Sequence, residues 1–569
     1  MNATQLLAHF DRLAEAPGAV PRLRRFILDL AVRGKLVEQD AGDEPAAELL
    51  ERIKEAKFRL SNEGLAKKEK PLPAEFKERP FSIPNSWRWA RLQDITWYIQ
   101  RGKSPNYAVS DGVPVVSQKC VQWRGLDLSS ARLITRESLG KYEPVRFLRD
   151  QDLLWNSTGT GTIGRIVRVI SPPNNLVCDS HVTVVRCALA NSEYVRSWLA
   201  TDHVYGSIED RAAGATNQVE LNSSMAAQQV VPFPPLAEQH RIVAKVDELM
   251  ALCDQLEAAQ QESERRRERL AAASLQRLNQ SAADTTPKAQ REHARFHLHH
   301  LPRLTTRPEH IKAMRQTILN LAVCGRLVRH DVGDESATTL LASIASTKSN
   351  LVKAGVIRKT AGLALLSPED TVFQVPGGWV WERLGTVGYT QTGTTPPTSM
   401  PECFGGETPF VTPSDLTASV TTYDGKGLTD IGVRHSRLIA KNSVLMVCIG
   451  STIGKVNVVD REVCCNQQIN TLTPVIDGMT GYVAIALRSD YFQKLVITNA
   501  GMGTLPILSK GKWEQLPVPI PPLAEQHRIV AKVDELMALC DQLEAQLTIT
   551  QTDSHRLLEA VLEDALAPA

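Results

Sequence analysis

Along two stretches of this chain the apolar residues fall at alternating spacings of four and three. Ile242, Val246, Leu249, Cys253 and Leu256 form the first series; Ile529, Val533, Leu536, Cys540 and Leu543 form the second, which runs on through Leu547, Leu557 and Val561. That spacing is the a/d seam of a coiled coil. It predicts a helix over about 235–280 that is about 70 Å long. Pro234 and Pro235 stop the preceding strand and let the helix begin, and Glu238 sits near the positive end of its dipole. A helix that long with one apolar stripe needs a partner. Its own duplicate, lying antiparallel about a pseudo-two-fold axis, is the first choice; packing on its own domain is the alternative.

The duplicate is literal. PPLAEQHRIVAKVDELMALCDQLEA occupies 234–258 and returns unchanged at 521–545. It is part of a larger repeat. ILDLAVRGKLVEQDAGDEPAAELLERI (27–53) returns as ILNLAVCGRLVRHDVGDESATTLLASI (318–344), IPNSWRWARLQDI (83–95) as VPGGWVWERLGTV (375–387), and TIGR (162–165) as TIGK (452–455). Each half is a helical lead-in, a mixed domain and the long helix. The long helix is identical, the lead-ins are related, and the mixed domains share only short motifs. Cores tolerate volume-conserving swaps, so packing alone does not demand identity. The pattern suggests two equal surfaces with one job and two unequal domains that meet different ligands.

In the mixed domains the period changes. Short β-branched runs such as VPVVS (113–117), VTVVR (182–186) and SVLMVCIG (443–450) are bounded by Gly, Pro and Asn and read as strands; EYVRSWLATDHVYGSI (193–208) and GYVAIALRSDYFQKLV (481–496) read as helices. The fold class is α+β: two mixed domains joined by two long antiparallel coiled-coil helices in a tandem repeat. The expected divisions are 1–79, a helical segment; 80–232, the first mixed domain; 233–282, the first long helix; 283–371, a linker and central helices; 372–519, the second mixed domain; and 520–569, the second long helix. The stretch 282–302 has turn formers, four histidines and no period, and reads as linker.

Composition narrows the function. No apolar run reaches the roughly 18 residues of a membrane span, and the N-terminus has no secretory h-region, so a cytoplasmic protein is expected. The ten cysteines include no C-x-x-C pair and are expected to be small buried hydrophobes; no metal site is expected. A net charge of +2 gives no overall pull toward phosphates, so any nucleic-acid contact needs a local basic surface. GTGTIG (159–164) fits a dinucleotide loop in letters, but a strand follows it where a helix is required. GSTIGKV (450–456) lacks the P-loop spacing and its Ser/Thr. Both read as tight turns in which Gly supplies positive φ. SPPN (171–174) has no aromatic residue to stack a flipped base. No catalytic residues are expected.

Two copies of P-P-L-A-E-Q-x-R-I-V-x-K-V-D-x-L, each closing a variable domain and opening a long helix, together with GTTPPT (393–398), PFVTPSDL (409–416), STIGK (451–455) and CNQQIN (465–470), resemble the specificity subunits of type I restriction–modification enzymes. The first domain departs from those motifs, with RGKSPN (101–106), VVSQKCV (115–121) and CDSHVT (178–183). The resemblance implies that each mixed domain is a target-recognition domain for one half of a split site in double-stranded DNA. It implies that the long helices set the distance between halves and dock two methyltransferase subunits. Motor–nuclease subunits join through these. S-adenosylmethionine, ATP and magnesium belong to those partners, and the chain itself needs no cofactor.

Within that reading, Arg101, Lys103, Gln118, Lys119 and Arg124 are the expected DNA contacts of the first domain, and Thr394, Thr395, Ser414, Asp415, Gln467 and Gln468 those of the second. Arg and Gln pair bidentately with guanine and adenine. The ten seam residues named at the outset are expected to serve helix pairing and partner docking. A stand-alone DNA methyltransferase or nuclease with its own readers, and a duplicated protein-binding scaffold, are the alternatives.

Overall fold

The structure, a computed structural model, describes residues 16, 18–64, 79–159, 161–213, 220–279, 287–358, 362–417, 420–501 and 505–566. The chain divides into two units: unit 1 is Met1–Glu262 with Gln551–Ala569, and unit 2 is Ser263–Thr550. Each long helix, Leu236–Asn279 and Leu523–Leu566, therefore begins in one unit and ends in the other. None of the helices among the described residues is long and apolar enough to cross a membrane.

In unit 1 a four-stranded antiparallel sheet has the order Thr96–Arg101, Val182–Cys187, Leu153–Asn156, Ile166–Arg168. A second sheet places Val113–Val116 between Arg132–Ile134 and Val177–Cys178, the latter pairing parallel. The helices Ser192–Leu199 and Asp202–Ala213 follow. Unit 2 repeats this with Gly388–Thr392, Ile469–Pro474, Val444–Val447 and Val456–Val458 in the first sheet, and with Phe404–Val411 parallel to Val463–Cys465 in the second. The expected α+β class is what the structure has. Short β-branched strands pack face to face in it because their alternate side chains have apolar neighbours to bury against.

The repeated sequence motifs meet at the root of each long helix. Pro232 on the strand Val230–Phe233 pairs with Trp89, and Pro519 on Pro517–Ile520 pairs with Trp381. The neighbouring Trp87 indole donates to Glu238 Oε2 (3.0 Å), whose other oxygen accepts from Gln39 Nε2 (2.6 Å). In unit 2, Trp379 donates to Glu525 (2.9 Å), and His330 Nδ1 lies 2.7 Å from that carboxylate. Arg241 pairs with Asp43 (3.2 and 2.7 Å) and Arg528 with Asp334 (3.1 and 2.5 Å). Glu238 is 1% exposed; its first-turn position matters less for the helix dipole than for this buried bond, because a desolvated carboxylate needs donors. The E-Q-x-R of the motif thus clamps the helix to the W-x-W strand and the lead-in loop.

The apolar stripe of each long helix is covered within its own unit. Ile242, Val246 and Cys253 are buried in the core of unit 1 with Ile27, Ala31, Leu49 and Ile53 of the lead-in helices Ala19–Val32 and Ala46–Asn62; Leu249 and Leu256 pack at its edge. Ile529, Val533 and Cys540 are buried with Ile311 and Ile318 of the lead-in Pro308–Val323, with Leu536 and Leu543 alongside. Arg24 bridges Asp254 and Glu257, and Arg315 repeats this with Asp541 and Glu544. The last turns of the second long helix also belong to unit 1, where Leu558, Val561 and Leu562 pack on Ala19 and Arg22 pairs with Glu559. The lead-in helix is therefore the partner these seam residues have, as in the own-domain alternative. Ile242, Val246, Cys253, Ile529, Val533 and Cys540 are buried in this packing, while Leu249, Leu256, Leu536 and Leu543 keep part of their surface exposed.

The segment expected to be linker contains a helix, Pro287–Leu304. Its polar composition hid it, yet His297 is buried against Ser274 of the first long helix (Nδ1–Oγ 2.8 Å). Glu264 and Glu268 of the same helix pair with Arg307.

Candidate nucleic-acid interface

The strand register decides which loops share one end of the sheets. In unit 1, Arg101 lies opposite Thr183 and Asn156 opposite Val182, so the chain leaves the sheet after Arg101 and Asn156 where it enters before Val182. The parallel pairing of Val116 with Cys178 sends the chain after Val116 to the same end. Unit 2 matches: Thr392 opposite Asn470, Val447 opposite Ile469, Val411 beside Cys465. Four segments converge in each unit: 102–106, 117–127, 157–165 and 179–181 in the first, and 393–397, 412–422, 448–455 and 466–468 in the second.

Short bonds lock these segments together. Ser104 Oγ lies 3.0 Å from Ser180 Oγ, Thr158 Oγ1 lies 2.7 Å from His181 Nδ1, and Asn156 Nδ2 donates to Gln118 O and Thr162 O. In unit 2, Thr395 Oγ1 donates to Gln467 Oε1 (2.6 Å). Glycine permits the closest approach. A Cβ on Gly102 would sit 2.2 Å from Asp179 O, and one on Gly393 2.2 Å from Asn466 O. The two glycine loops are the tight turns expected of them, with φ of 104° at Gly159 and 103° at Gly450.

The expected contact residues fall into two groups. Lys119 and Arg124 are exposed, Arg124 with only a long 3.6 Å bridge to Asp127. Ser414 and Gln467 are exposed too, and Thr394 and Thr395 half-buried, all on the converging segments. Gln118 Oε1 faces the Gly159 turn and accepts a bond from Thr162 Oγ1 (3.4 Å), which leaves its amide nitrogen open. Gln468 accepts from Asn466 Nδ2 (2.9 Å).

The second group is engaged inside its own domain. Arg101 donates to Ser180 O (2.9 Å) and pairs with Glu220 (3.4 Å). Lys103 donates to Lys141 O and Glu143, and draws the Glu143 carboxyl down to about 2. Asp415 Oδ2 accepts from the Thr412 N–H and hydroxyl (2.7 Å each) and closes its own turn. These bonds hold Arg101, Lys103 and Asp415 within their own domain, and a DNA contact by any of them would exchange one of these bonds for another.

Three side chains were missed. Arg165 extends from the Gly turn, donating to Gln122 Oε1 and Gly161 O. His181 sits beside Thr158. Trp123 is 52% exposed at the tip of a hairpin formed by Val121–Gln122 and Gly125–Leu126. Its signal was in the sequence: an aromatic beside Arg and Gly between two short strands. Burial also pushes the Asp179 carboxyl above its usual value, opposed by the His181 N–H.

The two ends differ in charge. The four segments of unit 1 carry Lys103, Lys119, Arg124 and Arg165 against Asp127 and Asp179; those of unit 2 carry Lys455 against Asp415 and are otherwise hydroxyls and amides. Both patterns suit hydrogen bonding to phosphates or base edges. Among the described residues no cluster of His, Cys, Asp and Glu is arranged to hold a metal. Eight cysteines are buried and two half-buried, all unpaired.

Comparison with known proteins gives a consistent result. A family model described as the type I restriction modification DNA specificity domain matches residues 376–550. The type I restriction enzyme EcoAI specificity subunit of Escherichia coli is 29% identical, over 97% of this chain and 93% of its own length. The EcoEI specificity subunit of the same species is 28% identical, over 96% and 94%. A crystal structure of the HsdS subunit from Thermoanaerobacter tengcongensis aligns with 86% of this chain and 99% of its own, at 20% identity and a TM-score of 0.45.

Proposed function

We propose, from the premise that this chain belongs to the specificity subunits of type I restriction–modification enzymes, that its two loop ends read the two halves of one split, asymmetric DNA site. It is the DNA-recognition component of such an enzyme and carries no catalytic step; modification and restriction subunits are its partners. We assign 80–232 and 372–519 as the two readers. Gln118, Lys119 and Arg124 serve the first, and Thr394, Thr395, Ser414, Gln467 and Gln468 the second.

The observation that carries the finer reading is on the outside of the long helices. From 237–258 to 524–545 every residue is as buried or as exposed as its duplicate. Exposed positions are therefore identical along with buried ones, Asp247, Glu248, Ala251 and Leu252 returning as Asp534, Glu535, Ala538 and Leu539. Packing restrains the buried positions without demanding identity, and it does not restrain the exposed ones at all. Leu252 is 52% exposed and Leu539 47%. Two identical outer faces suit two copies of one methyltransferase subunit, and two unlike loop ends suit two unlike half-sites.

Native mass spectrometry of the chain with its methyltransferase subunits tests this. Two subunits per chain are expected for the wild type, one for Leu252→Arg or Leu539→Arg, and none for the double variant. Each single change introduces a charge on an exposed face, where it costs the fold little. Full assembly by the double variant would contradict the docking assignment, and methyl transfer by the purified chain alone would contradict the whole reading.

A further inference from the structure

All nine tryptophans of the chain are described, and eight are buried or half-buried. Trp123 is the exception. It stands with Arg124 at the tip of a ribbon two residues wide on each side, closed by Gly125 at φ 134°. The ribbon is firmly rooted. Val121 is fully buried. Gln122 donates to Lys119 O (2.7 Å) and accepts from Arg165 (2.8 Å), and the Asp127 N–H donates to Cys120 O (2.8 Å). The Tyr205 ring braces one edge of the indole at 6.2 Å and 62°. Beyond that contact, about half of this large apolar ring stays in water on a rigid tip, more than packing within its own domain requires.

Its surroundings indicate the occupant. Lys119 and Arg124 are exposed beside it and Arg165 lies beneath, so the local charge favours a polyanion over an apolar protein face. A two-stranded ribbon is narrow enough to enter the major groove of B-form DNA, and in proteins that enter the minor groove apolar side chains wedge between base steps. Among its described residues the second reader has no exposed aromatic counterpart. Its turn Thr412–Asp415 matches Ser117–Cys120, each closed by the same backbone bond, and the following bonds from Asp127 and Thr422 also correspond. In that register Ala418 and Ser419 stand where Trp123 and Arg124 do; those two lie outside the described residues.

Resting on the reading above, we propose that Trp123 is a further DNA-contacting residue of the first reader, its indole stacking on a base face in the first half-site while Arg124 holds the adjoining phosphate. A rigid aromatic with two rotatable bonds loses little entropy on binding, and stacking of this kind is open to any base. Trp123 therefore supplies affinity and reads how readily a step unstacks, while the polar residues around it read base edges.

The test uses the chain assembled with its methyltransferase subunits and the duplex site found by methylome sequencing. Trp123→Ala should weaken binding about five- to hundred-fold, the range of one lost base–aromatic stack, while Trp123→Phe keeps most of it. Acrylamide quenching of tryptophan emission should fall on adding the duplex in the wild type and change little in Trp123→Phe. Unchanged affinity in Trp123→Ala, with Lys119→Ala and Arg124→Ala weakened, overturns the stacking role and leaves the reader intact. Equal loss in the Phe and Ala variants also overturns it, as does loss of subunit assembly without loss of DNA affinity. No effect of any of the four variants on any duplex overturns the DNA reading itself.

Discussion

One cross-strand pair in the core differs in kind between the two units. In unit 1, Arg186 and Asp152 form an ion pair with side chains 3% and 2% exposed; Arg186 Nε and Nη2 donate to the carboxylate at 2.7 and 3.0 Å, with Val145 O and Phe147 O taking further bonds. The same register in unit 2 holds Ser443 and Thr473, hydroxyl to hydroxyl at 2.6 Å. One fold accepts either solution because both satisfy every partner. A buried charge pair is no stabiliser in itself, but losing one member is severe. The mixed domains have thus drifted in core chemistry and loop chemistry alike, while the long helices kept even their exposed residues. The two regions thus differ: the mixed domains share a fold with unlike chemistry, and the long helices share even their surface over 237–258 and 524–545.

The largest expected effect follows from that pair. Asp152→Ala should destabilise unit 1 by about 3–5 kcal/mol by leaving Arg186 buried and unpaired, against about 1 kcal/mol for Ser443→Ala in unit 2. Hydrogen exchange reports the two units separately. Combining Asp152→Ser with Arg186→Thr, the arrangement of unit 2, should cost less than Asp152→Ala alone. A double variant worse than the single would show that the two cores are not interchangeable at this position.

A smaller effect concerns pH and unit 2. Burial lowers the pKa of His297, and its Nε2 is buried without a hydrogen-bond partner. An unfolded histidine titrates near 6.5, so as pH falls below that value the unfolded chain takes up a proton that the folded site resists. His297 thus contributes fully above the unfolded pKa, and that contribution is lost as pH falls toward the lower folded value. Thermal melts from pH 7.5 to 5.5 should show a shallower loss of stability in His297→Leu than in the wild type. Parallel curves would place the protonation elsewhere.

Much of this was legible in the sequence. The repeat, the strands and the apolar stripe follow from periodicity, and the glycine turns from the strand after each. What was not legible is whatever depends on distant partners. Glu220 and Glu143 neutralise Arg101 and Lys103 from far along the chain, so these two looked free. The stripe of the long helix named its need for a partner but not the lead-in helix, because an apolar seam carries no address. Trp87 and Glu238 were each conspicuous in repeated motifs, and only the fold shows that one bonds the other. The helix Pro287–Leu304 was hidden by its polar composition, since helix periodicity is read from apolar residues.

If unlike loop ends read unlike halves of one site, a change confined to one loop end alters one half alone. Methylome sequencing of cells carrying the chain with Gln118 and Lys119 both replaced by alanine tests it most directly. A changed or relaxed base preference is expected in one half of the methylated sequence, with the other half and the spacing between them as in the wild type. Equal change in both halves, or a methylated sequence with no second half, would contradict it.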